Sequence, residues 1–296
     1  MRKDAFGQTH PAVELFFFLA VMLITAFVLH PAVTGISLAA ACAYNVYLRG
    51  RKALLFTLCF VLPFILLIAV LNPLFNHAGV TVLFYLHNGN AVTLEAVLYG
   101  IVSACMFAAL ISWCSCLNAV MSSDKYVCLF GRAIPVLSLL FSMVLRFVPR
   151  FTARIGLVSA AQKSTCPEMG KSPVKALKHG VSVLSFTTSW ALESSVVMAD
   201  SMKSRGYGLP GRTSYSIYRF DSRDAVLAAL LAAFCVVSIA AMVSKRICFR
   251  FYPSIKYSSF GALSAAGYAA FALLCLLPLL LDILENVRWH SIRSKI

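Results

Sequence analysis

Ala53-Leu-Leu-Phe-Thr-Leu-Cys-Phe-Val-Leu-Pro-Phe-Ile-Leu-Leu-Ile-Ala-Val-Leu71 carries no charged side chain and follows directly on Arg49-Gly-Arg-Lys52. Crossing a bilayer takes about 20 apolar residues, and this run supplies that length. No water is present in hydrocarbon to satisfy backbone groups, so the form expected is an α-helix. Pro63 removes one amide donor and predicts a kink. Five further runs read the same way, at about 13–29, 31–48, 93–121, 225–243 and 260–281. The whole chain agrees with them: of 296 residues 60% are hydrophobic and 12% charged, whereas soluble domains are usually about 45–50% apolar. The expected fold is an all-α polytopic membrane protein with about six transmembrane helices.

The first run follows Met1-Arg-Lys3 as a signal peptide would, but no small-residue cleavage site follows, so it reads as a retained span. His30-Pro31 separates it from the second, which predicts a tight membrane hairpin, with a single broken helix as the alternative. Orientation comes from Lys and Arg in short loops. Arg2-Lys3, Arg49 to Lys52, and Arg288, Arg293 and Lys295 all fit the cytoplasmic side. The connection 72–90 has no Lys or Arg and suits the outer face; its Val80 to Leu86 run either dips into the interface or packs on a partner. Lys245, Arg246, Arg250 and Lys256 disagree, being placed outside. That loop is either a tolerated exception or the sign that one of the last two spans is re-entrant.

The reading divides the chain into membrane spans over 1–121, a cytoplasmic segment over 122–224 and carboxyl-terminal spans over 225–296. The middle segment lacks a convincing span and holds fourteen of the 26 basic residues. Its Ile134 to Leu145 run is too short to cross and suits a helix at the membrane surface. Arg146, Arg150 and Arg154 share one helical face, bent at Pro149. The stripe meets either anionic headgroups or a partner. Cys166-Pro167 and Ser172-Pro173 predict a break, after which a second long helix runs from about Val174 to Arg205. Gly206 is its expected stop, since glycine takes the left-handed conformation at little cost. Lys203 and Arg205 fall in the last turn, where the helix dipole favours cations. Gly208, Pro210 and Gly211 forbid continuation. Taken locally, this is an ordinary capped helix end.

Several chemistries lack their residues. A net charge of +15 spread over loops is a mark of membrane orientation, so nucleic-acid binding is not expected. Met169-Gly-Lys-Ser172 resembles the end of a phosphate-binding loop, but Thr165 stands where the first glycine is needed and no strand precedes it. The ten cysteines lie mostly in apolar runs, and Cys114-Ser-Cys116 has no second pair at zinc spacing. Neither a metal, a bound cofactor nor catalysis is expected of this chain. The spans hold few ionisable residues, with Glu14, Glu95 and Asp282 near their ends. A carrier driving itself with protons or sodium usually needs more.

With Trp190-Ala-Leu-Glu-Ser-Ser-Val-Val-Met-Ala-Asp-Ser-Met-Lys-Ser-Arg-Gly-Tyr-Gly208 in view, the chain resembles the transmembrane T component of energy-coupling factor transporters. Gly211-Arg-Thr213, Tyr218-Arg-Phe-Asp221, Asn72-Pro-Leu-Phe75, Gly79 to Phe84, Thr93-Leu-Glu-Ala96, Arg146-Phe-Val-Pro-Arg150 and Ala161-Gln162 extend the resemblance over most of the sequence. It implies a multi-pass subunit of a bacterial or archaeal cell membrane with two long cytoplasmic coupling helices. Each docks through an Ala-Arg-Gly-like end on one of two ATP-binding-cassette ATPases, while a membrane S component binds the vitamin or transition-metal ion imported. ATP is then bound by the partners. Ser204, where alanine is usual, with Arg205, Gly206 and Tyr207 is the implied ATPase contact. At the first coupling helix Ser164-Thr-Cys-Pro-Glu168 replaces the Arg-Gly pair, which leaves Arg150, Arg154 and Lys163 as candidate contacts. The rival readings are a self-sufficient permease or channel and an integral membrane enzyme.

Overall fold

The computed structural model describes residues 6–85, 91–133, 135–165, 173–207, 218, 220–244, 249–252, 256–257 and 261–293. In chain order it contains α1 (Pro11–Phe27), α2 (Pro31–Arg49), α3 (Arg51–Phe56), a π-helical turn (Thr57–Val61), α4 (Leu62–Phe75), β1 (Val82–Tyr85), β2 (Ala91–Thr93) and α5 (Leu94–Val120). Then come α6 (Ser123–Ala133), α7 (Pro135–Thr165), α8 (Pro173–Ser204), α9 (Ser222–Val243), β3 (Phe249–Arg250), β4 (Lys256–Tyr257) and α10 (Ala262–Arg293). These divide into two units, Met1–Ser122 with Tyr218–Ile296, and Ser123–Ile217.

Among the described residues of the first unit, five helical stretches are long and apolar enough to cross a membrane: Pro31–Arg49, Arg51–Phe75, Leu94–Val120, Ser222–Val243 and Ala262–Arg293. Helix α1 is equally apolar but has 17 residues, the lower limit of a crossing. Half of the apolar window of α5 is buried, against 6% for Arg51–Phe75, so α5 is central and α3–α4 outlying. Trp113 of α5 is fully buried among Phe17, Phe18 and Tyr44, with Phe17 and Phe18 in turn enclosing Phe6. Its indole N–H donates to Ser37 Oγ at 3.0 Å; Ser37 and Thr25 hydroxyls lie 2.9 Å apart, and Thr25 donates to the Val21 carbonyl at 2.8 Å. Because Thr25 spends its proton on Val21, Ser37 donates to Thr25, and the polar chain satisfies itself within an apolar core.

Helices α1 and α2 start with the same tetrapeptide, His-Pro-Ala-Val, at 10–13 and 30–33. In each the histidine Nδ1 accepts the N–H of the alanine two residues on, at 3.2 Å, and proline occupies the first turn, where its missing donor costs nothing. The break at His30-Pro31 therefore separates two individually capped helices. With Nδ1 accepting, the neutral His30 ring carries its proton on Nε2, 3.0 Å from the Tyr268 hydroxyl. The kink expected at Pro63 is a π-helical turn just before it, where the Leu62 N–H reaches Thr57. Widening the turn relieves the clash between a proline ring and the carbonyl four residues earlier.

The structure is mostly helical, as expected, and among the described residues two short antiparallel pairs accompany the helices: β1 with β2 and β3 with β4. The β1–β2 hairpin is fastened to α5 through Glu95, a buried carboxylate in the first turn that accepts the Thr81 N–H and hydroxyl. These bonds and the helix dipole hold the Glu95 charge in place. Thr93 caps α5 and donates to the Ala78 carbonyl. Gly79 fits between them with φ 142°; a Cβ there would lie 2.6 Å from Glu95 Oε2 and 2.7 Å from Thr93 Oγ1. The same end of the unit receives the second hairpin, since Asn76 donates to Tyr252 Oη at 2.8 Å, Tyr99 packs on Phe251, and His30 packs on Phe249 and Tyr268. Helices α9 and α10 are each long and apolar enough to cross a membrane.

At the opposite end the amino-terminal segment is stapled by carboxylates. Asp282 accepts the Phe6 N–H at 3.0 Å, and Asp224 accepts the His10 N–H at 3.3 Å while capping α9 with Asp221. Asp282 and Glu14 are buried, as is Asp224.

In the second unit, α7 continues as one helix through Pro149, joining the stretch expected at the membrane surface to the basic stripe. Helices α7 and α8 run antiparallel. Phe151 meets Trp190 edge-on, Arg154 lies over the same indole at 5.3 Å, Ser159 bonds His179 at 3.1 Å, and Gln162 donates to Ser182 at 2.8 Å.

Gly79→Ala should lower stability by about 2 kcal/mol through backbone strain and the Glu95 clash, whereas Gly35→Ala, with nothing within 4 Å, should be neutral or slightly stabilising; thermal unfolding in detergent compares them. Burial holds the His30 pKa below its usual 6.5. The neutral form is the folded one, so its contribution is complete above 6.5 and is lost as pH falls below that value. The melting temperature should fall with it, and fall less in His30→Asn, which can cap but does not titrate.

Candidate functional site

The carboxyl end of α8 shows why the helix stops where it does. The Tyr207 N–H bonds the Met202 carbonyl at 3.1 Å and the Gly206 N–H bonds that of Lys203 at 3.0 Å, with Gly206 at φ 76°. This pair of bonds around a left-handed glycine is the Schellman closure, and it satisfies carbonyls that a frayed helix would leave to water. The Arg205 N–H is shared between Ser201 and Met202, and Ser204 Oγ donates back to Ser201 at 2.9 Å. Every backbone donor from Arg205 to Tyr207 is thus engaged, and the end is fixed in shape.

Lys203, Ser204 and Arg205 are exposed around this end, Tyr207 is 37% exposed, and Met202 is half-buried. The position suits cations because the last turn carries the negative pole of the helix. A guanidinium held there offers several donors in a planar fork, matched to carboxylates or carbonyls on another surface. Gly208, Pro210, Gly211 and Arg212 lie outside the described residues, as do Cys166, Pro167 and Glu168.

The other candidates are distributed differently. Arg154 is committed to the Trp190 ring, where a cation over an aromatic face clamps α7 to α8. Arg150 and Lys163 are exposed. Lys163 lies beside the Gln162–Ser182 bond, whereas Arg205 lies about 40 Å further along α8 than His179, at 1.5 Å per residue. The structure therefore does not gather these residues into one site; it sets Lys163 and Arg205 far apart on an antiparallel pair. Near the last described residue of α7 the Ser164 and Thr165 hydroxyls both donate to the Ala161 carbonyl.

Sequence reasoning missed the clamp formed by Phe151, Arg154 and Trp190. Its signal was present in Phe147 and Phe151, four residues apart and interleaved with the arginine stripe. It also missed the division of α8 into two faces. His179, Val183, Thr187 and Trp190 lie on the covered side, while Val174, Leu177, Val181, Leu184, Leu192 and Val196 are each at least 60% exposed. Spacings of three, four and eight residues place the exposed set on one apolar side of the helix. Among the described residues no three His, Cys, Asp or Glu side chains come together to hold a metal ion.

Gly206→Ala forces a Cβ into the left-handed region at a cost of about 1 kcal/mol, so the amides of Arg205 to Tyr207 should exchange with deuterium about fivefold faster, with α8 elsewhere unchanged.

No family model matches the chain, and no curated protein matches it.

Proposed function

We propose that this chain is the transmembrane coupling subunit of an importer of the energy-coupling factor type, carrying the motion of two separate ATP-binding-cassette ATPases to a membrane subunit that binds a vitamin or a transition-metal ion. One observation carries the reading: a long helix outside the span-bearing unit ends in a Schellman-closed tip with Arg205 exposed on it. In this reading Arg205 enters an acidic or carbonyl-rich groove of one ATPase, Gly206 permits the close turn, and Tyr207 packs at the rim. The absence of an Arg-Gly pair after Lys163 suits a second ATPase that is not identical to the first.

The remaining features take their places accordingly. Helix α1 is the sixth span, the unit of α6 to α8 faces the cytoplasm, and the protein is a multi-pass component of a bacterial or archaeal cell membrane. The exposed apolar side of α8 supports a neighbour that is itself apolar, either the bilayer or the substrate-binding subunit. ATP is bound by the partners. A self-sufficient permease is supported less well: Asp282, Asp224 and Glu95 are turned to backbone amides, as structural carboxylates are.

The test is uptake by the complex reconstituted in liposomes. Arg205→Glu should reduce ATP-driven uptake on the order of tenfold or more, as loss of a buried arginine anchor does, and Arg205→Lys should retain part of it. Unchanged uptake with unchanged ATPase assembly in Arg205→Glu would sink the assignment. Gentle purification from native membranes should recover two ATPases and a small hydrophobic subunit with the chain.

A further inference from the structure

The β1–β2 hairpin presents apolar side chains that nothing in its unit covers. Val80 is 71% exposed, Val82 41%, Leu83 53% and Tyr85 70%. Val82 and Leu83 are adjacent on one strand, so they point to opposite faces, and β1 is exposed on both, whereas Val92 and Thr93 of β2 are buried. A two-stranded ribbon of this length is marginal in water by itself. This one is held from beneath: Glu95 grips Thr81, Thr93 grips Ala78, and Gly79 lets the three segments close together.

Charge decides what medium suits it. From Ala53 to Ser123 the chain has no Lys, Arg or Asp, and its one carboxylate, Glu95, is buried under the hairpin. A water-facing loop or a surface for a charged partner would carry ionised side chains on its rim. The bare faces continue instead the bare surface of α4, where Leu66, Leu67, Val70, Leu74 and Phe75 are all exposed and Phe75, three residues before Ala78, is 82% exposed. Helix α4 belongs to the outlying candidate span, so its exposed side is the side that meets lipid. Tyr85 supplies what the boundary of a bilayer favours, an apolar ring with a polar tip.

We infer that the β1–β2 hairpin is seated in the headgroup boundary of the bilayer at the end of α4 and α5, with Val80, Val82 and Leu83 in the acyl region and Tyr85 among the headgroups. It is a rigid interfacial anchor that sets how deep α4 and α5 sit, and the Glu95 latch transmits that setting to the central helix. The inference requires the spans and is independent of any ATPase.

The experiment places an environment-sensitive fluorescent amino acid at Leu83, by codon suppression, in the full chain reconstituted in phosphatidylcholine liposomes, with Leu66 as the deep reference. Emission from position 83 should be blue-shifted, and it should be quenched more by lipids brominated near the headgroup than by lipids brominated near the chain end, the reverse of Leu66. Water-like emission without quenching overturns the inference. So does blue-shifted emission that neither brominated lipid quenches, because that is the signature of cover by protein, whether a second copy or another subunit. Should the substitution at Leu83 impair folding, the probe at Tyr85 is read the same way, and Val82→Asp with Leu83→Asp should shift its emission to the red and abolish quenching while helix content is kept.

Discussion

The indole of Trp113 is fully buried, and its one N–H donor needs an acceptor there. The chain of hydrogen bonds from it through the Ser37 and Thr25 hydroxyls to the Val21 carbonyl joins α5, α2 and α1 at a fixed depth, and the aromatic rings of Phe17, Phe18 and Tyr44 close around it. Between apolar helices in lipid there is little hydrophobic force to choose one alignment over another, so packing and polar contacts choose it. A slide of one helix by a turn would leave three polar groups unsatisfied in an apolar core, each costing roughly 1–3 kcal/mol. Small residues serve the same end. Ala40, Ala41, Ala104, Ala108 and Ala109 are buried, and Gly100 lets α4 approach until a Cβ would stand 3.0 Å from that of Asn72.

The two ends of this unit are organised by carboxylates that serve the backbone. Asp282 and Asp224 fasten the segment around Phe6 and His10, and Glu95 fastens the loop around Thr81. In a sequence such residues look alike whether they staple a loop or carry a proton. The difference is what they face, and here each of the three accepts a main-chain amide, with Glu95 accepting the Thr81 hydroxyl as well.

The parts of the fold that could be read beforehand are those whose cause is local. Apolar length marks the spans, and α8 runs from Pro173 to Ser204 against an expectation of Val174 to Arg205, because proline starts a helix and glycine ends one by their own backbone chemistry. What was not legible depends on partners distant in sequence. The hairpin strands are defined by pairing Phe84 with Val92, and the strand pair between α9 and α10 by pairing Phe249 with Tyr257. Nothing near Arg154 announces that Trp190, thirty-six positions away, would occupy it. The repeated His-Pro-Ala-Val was readable, but histidine is an unusual cap and its role shows only once Nδ1 is seen to accept. At the tip of α8 the closure by Gly206 was local and legible, while the separation of Lys163 from Arg205 required the antiparallel register of α7 and α8.

The ring and hydrogen-bond links traced between α7 and α8 lie at Trp190 or on its amino-terminal side. From Trp190 to Arg205 is about 22 Å of helix. Mechanically this is a beam gripped at one end: a force applied across its tip is felt as a bending moment that is greatest at the grip. Arg154 over the indole and Phe151 edge-on to it are therefore where such a force would pass into α7, and the stiffness of that aromatic clamp would set how much of it is transmitted.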